Sequence, residues 1–549
     1  MSGWGAKQVV IAVVFTSTVC VGVVGAVWWQ LRDAGMSLVP TAAPAGQNPD
    51  APGWLQAPPP GAYVVLPPWP APESLPLVGG EGTDAFGYPL QRVDSIGLQA
   101  QLRLRRFDEL ERHLAAIDAA YREDARKERW LADAKDAFRS SDPRLTEPLD
   151  AWVQARPDFA GALLARAAHR QALAWRHRGA GFENTVSDEQ RASFQRILQG
   201  ARADYEAGAA RDAFNVQAWL GLYSVAREQG DVAAAASALA RAKLECPHCL
   251  TPYETEMRFL APRWGGSYAA MDALVRTARE HLADNPALAL LAGFADADRC
   301  AVATRAQEHE RALSACNEAL AVGEHAYFFN TRADLYLGMG RYSEALADAD
   351  ATLRLKPQSD LGLHARYMAL AALDDPERAV EAATTFLYLD PASARAHDVA
   401  SHAAQCLAAW AHGLPRDQRA RALRLLDAAL MFEPNNRAAE RLHTWWVYQL
   451  ISPDDPERPT LEHLAARVEA EPDSYEAARD YDTALIGLRR LPEIVALWDA
   501  YIARHPADGR AYRERGGTRH HLGDHAASRA DFQRGCELGD GLACRLAHD

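Results

Sequence analysis

Lysine is nearly missing from this chain: of 59 basic residues in 549, only Lys7, Lys127, Lys135, Lys243 and Lys356 are lysines, and arginine supplies the rest. GC-rich coding produces such a bias, and so does a preference for forked hydrogen bonds that an ammonium cannot make. Basic charge of either kind is also outnumbered. With 73 acidic residues the net charge is -14, which argues against nucleic acid as a partner, because phosphate neutralisation needs a basic face. The patterns of common catalytic sites are missing too. There is no P-loop, no dinucleotide glycine fingerprint after a strand, no GxSxG elbow and no HExxH, so no cofactor, metal or catalytic residue is expected. His520 and His521 are adjacent, and neighbours on a helix point about 100° apart, a poor geometry for two metal ligands. Asp374-Asp375 and Asp454-Asp455 precede prolines in turns and read as helix caps. Finally, the chain lacks the composition shifts that usually separate globular domains.

What is present is a repeat. Residues Ala326 to Pro357, AYFFNTRADLYLGMGRYSEALADADATLRLKP, carry one helix-turn-helix unit. Phe329, Ala333 and Tyr336 mark one face of a first helix, Gly338 to Gly340 permits a bend, and Leu346, Ala349, Leu353 and Leu355 face inward from a second. Pro357 stops that helix, because it lacks an amide hydrogen and clashes with the preceding turn. The next such proline is Pro391, 34 residues on. Val216 to Pro247 fits the same template, with Trp219 and Leu222 on its first helix, Gly230-Asp231 in the turn, and Ala235, Leu239 and Ala242 on its second. Pro286 closes a hairpin begun near Tyr268, and Ala312, Cys316 and Ala319 mark the second helix of another. Beyond Pro391 the spacing stretches to Pro434 and Pro472, then returns to 34 at Pro506, as inserted loops would produce. A last unit holds Tyr512, Gly516, Leu522-Gly523-Asp524, Phe532 and Leu538.

A 34-residue helical hairpin resembles the tetratricopeptide (TPR) repeat. The resemblance implies an all-α solenoid of stacked hairpins that offers the first helix of each to a protein or peptide partner. In that register Tyr327, Asn330, Asp334, His364 and Met368 look into the groove, as do Arg479, Arg510 and Arg513. Arginines at matching places on neighbouring first helices would clamp a carboxylate bidentately.

Ahead of the repeats, Val9 to Leu31 is an apolar run long enough to cross a bilayer, ending at Trp28 and Trp29. Val24-Gly25-Ala26 passes as a cleavage site, yet the run exceeds the roughly 7–15 residues of a signal-peptide core, which favours an uncleaved transmembrane helix over 9–31. Ser17 stands where an apolar residue would be wanted for lipidation at Cys20. Lys7 precedes the helix while Arg32 is offset by Asp33, so residues 1–8 are expected in the cytoplasm and the body in a bacterial periplasm, held to the inner membrane by this single pass. Residues 32–90 are proline-rich, with Pro58-Pro59-Pro60 and Pro67-Pro68-Trp69-Pro70, and read as a semi-rigid linker, on the order of 100 Å long at about 3 Å per residue. An N-terminal helical-hairpin domain over 91–285 and C-terminal repeats over 286–549 complete the expected plan.

The strings DAFGYPLQRVD, RRFDELERHL, AYREDARKERWLADAKDAF, LDAWVQARPDFAGALLARA and FLAPRWGGSYAAM together resemble a bacterial family known only as domain of unknown function 4034, across Asp84 to Asp284. That likeness implies company with TPR-type or Sel-one-like repeats, but no activity and no functional residue. The terminal CELGDGLACRLAHD resembles a Sel-one-like unit, which implies a Cys536–Cys544 bridge. Of eight cysteines, removing Cys20 leaves seven, so at least one is unpaired within a monomer. Cys246-Pro247-His248-Cys249 is also the active-site string of a periplasmic thiol oxidant of thioredoxin fold. Here Cys246 falls at a helix end, where the dipole raises rather than lowers a thiol pKa. A structural disulfide is therefore the first reading, ahead of a free or metal-bound pair and of redox catalysis. In sum, the sequence reads as a membrane-anchored, non-catalytic adaptor. Two alternatives stand: an immunity-type antagonist sequestering an exported effector, and a thiol-active protein using Cys246 and Cys249.

Overall fold

The computed structural model describes residues 75–179, 186–212, 215–415, 418–433, 436–451 and 460–548. The expected membrane span and most of the linker lie outside these residues. Among those described, no helix is long and apolar enough to cross a membrane. They are almost entirely helical and fall into two compact units, one ending at Leu373 and the other starting at Asp374, so the division comes well after the expected boundary at 285.

Hairpins form where the sequence supplies a cap, a turn and a small-residue face. Asn215 opens helix Val216–Gln229 by accepting from the amides of Gln217 and Ala218 at 3.1 and 3.3 Å, donors that helix geometry leaves unpaired. Gly230 ends it with φ +77°, a conformation that costs glycine little. Asp231 then caps helix Val232–Glu245 through the Ala234 amide at 3.0 Å. The two helices meet over buried Ala218, Ala235 and Ala242, whose small side chains let backbones approach closely.

The period persists. Leading helices begin at Ala326, Asp360 and Ala394, and again at Tyr475 and Gly509, each 34 after the one before within its run. Ala333, Ala349 and Ala365 form one buried cluster where three successive helices touch. Phe329, expected inward, is only half-buried, and its neighbour Phe328 is the core residue at 0% exposure, while Ala333 and Tyr336 are buried as expected. Hairpins also carry an ionic tie. Arg332 forks onto Asp348 at 2.7 and 2.8 Å, and Arg515 onto Asp531 at 3.0 and 2.6 Å. Each tie links a first helix to its own second helix through a nearly buried aspartate.

Two features depart from a plain array. Pro286, expected to close a hairpin, opens a 3-10 segment, Pro286–Gly293, capped by Asn285. The last part of the expected linker is folded: its strand Leu77–Val78 pairs antiparallel with Arg92–Val93 at the start of the expected helical domain, with Leu77 opposite Val93, and Tyr88 between them is buried at 1% exposure. This ribbon straps the start of the first unit to its far side. Arg92 forks onto Asp133 at 2.6 and 2.7 Å and donates to the Leu355 carbonyl at 3.1 Å, while Gln358 accepts from the Ser95 amide at 2.8 Å and donates to Asp94 at 2.7 Å. The all-α expectation thus holds apart from four strand residues.

Three disulfides staple the fold. Cys246 at the C-cap of one helix joins Cys249 at the N-cap of the next, Cys536 joins Cys544, and Cys300 joins Cys316 across the hairpin of helices Phe294–Arg305 and His309–Val322. The third was not anticipated from the sequence. Cys406 remains a buried thiol.

Candidate functional site

The groove residues expected from the repeat register do not share one environment. Tyr327 is half-buried and stacks on Phe294 at 5.7 Å. Asp334 is exposed, and His364 and Met368 are half-buried. Asn330 is a correction: at 2% exposure it belongs to the interior, because neighbouring helices cover more than one side of helix Ala326–Gly338.

The expected arginine clamp is corrected in a more informative way. Arg479, Arg510 and Arg513 do gather around one side chain, Tyr475, but the chain's own carboxylates already occupy them. Arg479 pairs with Asp427 and lies 3.3 Å from His443. Arg510 pairs with Asp508 at 2.7 Å and lies 4.0 Å over the Tyr475 ring. Arg513 bonds Asp540 at 2.7 Å, Glu514 at 2.6 Å and the Tyr475 hydroxyl at 3.1 Å. The Tyr475 hydroxyl in turn donates to Glu514 at 2.8 Å. Asp508 and Glu514 lie beside their arginines in the sequence, whereas Asp427 and Asp540 come from other helices and could not be read from arginine spacing. Beside this network, Asp482 is buried, accepts from the Trp498 indole at 3.1 Å through one oxygen, and has no partner for the other. Burial, with the Glu514 carboxylate adding, pushes its carboxyl up to about 7.

A different charged cluster lies within the first unit. Helix Glu128–Asp136 is anchored at one end by Glu128, which accepts from the Leu250 and Thr251 amides at 2.8 Å each, satisfying the first turn of helix Leu250–Leu260. At its other end Lys135, Asp136 and the following Arg139 come within electrostatic range of Arg258 on that same helix, and Lys356 acts on Asp136 as well. Asp136, Arg139 and Arg258 are exposed, and Lys135 and Lys356 half-buried. Even so, loss of solvation is the largest influence on Lys135, Asp136, Arg139 and Arg258. Burial and the Arg139 charge pull the Arg258 guanidinium below its ordinary value, with Asp136 and Glu254 opposing the shift. The Asp136 carboxyl falls below its own despite burial, because Lys135, Arg139, Lys356 and Arg258 surround it.

Among the described residues most arginines grip an acid, but Arg139, Arg258 and Lys356 form no ion pair or hydrogen bond through their side chains. Lys135 reaches only its neighbour Asp136, at 3.5 Å. Glu228, whose charge also acts on Arg139, accepts from the Trp175 indole at 3.0 Å and leaves its other oxygen unpartnered. Trp175 lies edge-on to Trp264, which is 46% exposed. Sequence reasoning missed this assembly. The available signal was the rarity of lysine, since two of the five fall here.

Staggered helical hairpins, tied by buried arginine–aspartate pairs, make the described body an all-α helical-repeat protein. No family model matches the chain, the family of unknown function suggested by Asp84 to Asp284 included. No curated protein matches it either. Among solved structures, it is similar to the TPR domain of P58(IPK), with 16% identity, coverage of 76% of this chain and 99% of that one, and a TM-score of 0.21. It is also similar to a tetratricopeptide repeat protein from Parabacteroides merdae, with 13% identity, 61% and 97% coverage, and a TM-score of 0.20. With superpositions this loose, the class assignment rests on the helix pairs themselves.

Proposed function

We propose that this chain is a non-catalytic helical-repeat adaptor that holds a protein or peptide partner, its body tethered in a bacterial periplasm by the apolar run at 9–31. The observation that carries the binding role lies in the first unit, where the Trp264 indole is 46% exposed and the exposed Arg139 and Arg258 make no ion pair within it. Arginine and tryptophan dominate the energetics of protein interfaces because each combines a large contact area with directional polar groups. Three disulfides support an oxidising compartment. The burial of both Cys246 and Cys249, at 3% and 2% exposure, favours a staple over an exchanging thiol.

The test is site-specific photocrosslinking in cells, with benzoylphenylalanine at Trp264 and, separately, at exposed Val232. A discrete adduct from 264 and none from 232 is the expected result; absence of any adduct from 264 removes the adaptor reading. A C-terminal alkaline phosphatase fusion tests compartment, and an inactive fusion removes the periplasmic placement.

A further inference from the structure

A hairpin tip in the second unit gathers histidine. Three of the chain's 18 histidines, His520, His521 and His525, fall within six residues, where helix Gly509–His521 gives way to helix His525–Glu537. All three are exposed, and among the described residues none makes an ion pair or a hydrogen bond through its ring. We propose that His520 and His525 bind a zinc ion whose coordination is completed by the same pair from a second copy of this chain, joining two molecules tip to tip. The site does not depend on the partner surface around Trp264.

The turn sets the pair. The Gly523 amide donates to the His520 carbonyl at 3.0 Å, and the Asp524 amide to the Arg519 carbonyl at 2.9 Å. Gly523 takes φ +81°, the left-handed turn that ends many helices, and the chain reverses so that His525 comes back against His520. Their ring centres lie 4.9 Å apart with the planes at 64°. Tetrahedral zinc asks for nearly this spacing: at a Zn–N distance of about 2.0 Å each ring centre sits about 3.2 Å from the ion, and two such centres about 5.2 Å from each other. The ring centre of His521 is 6.0 Å from that of His520. A shared ion would then subtend an angle of about 140°, far from tetrahedral, so His521 is the bystander of the three.

Charge at the tip is mixed. Arg519 is held by Asp531 at 2.9 Å, and the exposed Asp524 caps the second helix from within the turn. Arg529, four residues after His525, opposes a cation, while the net charge of -14 favours one.

Two imidazoles fill half of a tetrahedral zinc sphere, whereas a structural zinc takes four protein ligands. Among the described residues no group of three or more His, Cys, Asp or Glu side chains is placed to hold a metal, so the other half comes from outside the chain. A twofold axis through the ion supplies it, because an isologous contact offers each molecule the identical pair of the other. Leu522, between the histidines in sequence, is 46% exposed, an apolar surface that such a contact covers.

The experiment is sedimentation velocity of the full chain in detergent, first with EDTA as the baseline and then with zinc chloride. Zinc is expected to convert monomer to dimer, EDTA to reverse the change, and calorimetry to count one zinc per two chains. His520→Ala and His525→Ala each weaken the zinc-dependent dimer about tenfold or more, since each removes two of the four ligands. His521→Ala leaves the dimer as it was. Cobalt(II) in place of zinc gives the visible absorption of a tetrahedral site in the parent and not in His520→Ala. Because the three side chains are exposed, every variant is expected to melt with the parent in circular dichroism without metal.

No zinc-dependent dimer in the parent overturns the proposal. So does a dimer that survives the His520→Ala, His525→Ala double variant, one zinc bound per chain without association, or a His521→Ala variant as impaired as His520→Ala.

Discussion

Replacing Asp482 with asparagine should stabilise the second unit, by an amount that grows as pH rises from about 4 and is complete above about 7. The native carboxyl titrates at about 7 instead of 3.8, because burial and the nearby Glu514 charge disfavour its ionised form. Between pH 4 and 7 the folded protein therefore holds a proton that the unfolded chain has released, and stability falls as pH rises through that window. Below it the contribution is intact; above 7 it is lost. Each pH step in the window is worth about 1.4 kcal/mol, so the full penalty is on the order of 4 kcal/mol, and relaxation around the charge reduces it to about 2–4 kcal/mol. Asp482→Asn keeps an oxygen to accept from the Trp498 indole and removes the charge. Hydrogen exchange of amides in helix Tyr475–Gly487, compared between parent and variant at matched pH, reads the difference directly. The variant should be more protected at pH 8, with the gap closing by pH 4. A gap that is the same at pH 5 and pH 8, or an asparagine variant less protected at pH 8, refutes the electrostatic account.

Reducing Cys300–Cys316, or replacing both residues with serine, opens a link that spans 16 residues and should cost about 3 kcal/mol of denaturant stability. Glu128→Ala strips the acceptor from the Leu250 and Thr251 amides and from the Tyr88 hydroxyl; buried donors left unpaired cost about 1–3 kcal/mol each, so a clear drop in melting temperature is expected. Gly221→Ala places a methyl 2.3 Å from the Tyr205 ring and should cost about 1–3 kcal/mol by overpacking, measurable by urea titration.

The repeat was legible because its signals are local. Gly230-Asp231 and the prolines closing Val216 to Pro247 and Ala326 to Pro357 fix turns within a few residues, and the alanines they separate are the ones found buried. Face assignment was less secure: adjacent aromatics at Phe328 and Phe329 fit either register, and only packing against Phe294 and Ala319 selects Phe328. The charged sites were legible in part. Arg479, Arg510 and Arg513 do converge, as their spacing suggested, and Asp508 and Glu514 sit beside them in the sequence, but Asp427 and Asp540 come from helices whose approach no local pattern encodes. The cluster around Asp136 joins residues more than a hundred positions apart, so its cations carried no sign of being neighbours. The β ribbon escaped notice for a related reason. Two-residue strands inside a proline-rich stretch have no periodicity, and what holds them is Asp133 and the loop at 355–358.

That ribbon sets the order in which the molecule can be made. Hairpins from Val216 onward need only their own few dozen residues, and each can close soon after it is synthesised. Residues 92–95 must wait for Leu355 and Gln358, which follow them by 263 positions. At about 5–20 residues per second that wait is on the order of 13–50 seconds, while Arg92 can reach Asp133 and Val93 its core neighbours long before. The tie to Leu355 and Gln358 is therefore the last contact of this ribbon to form.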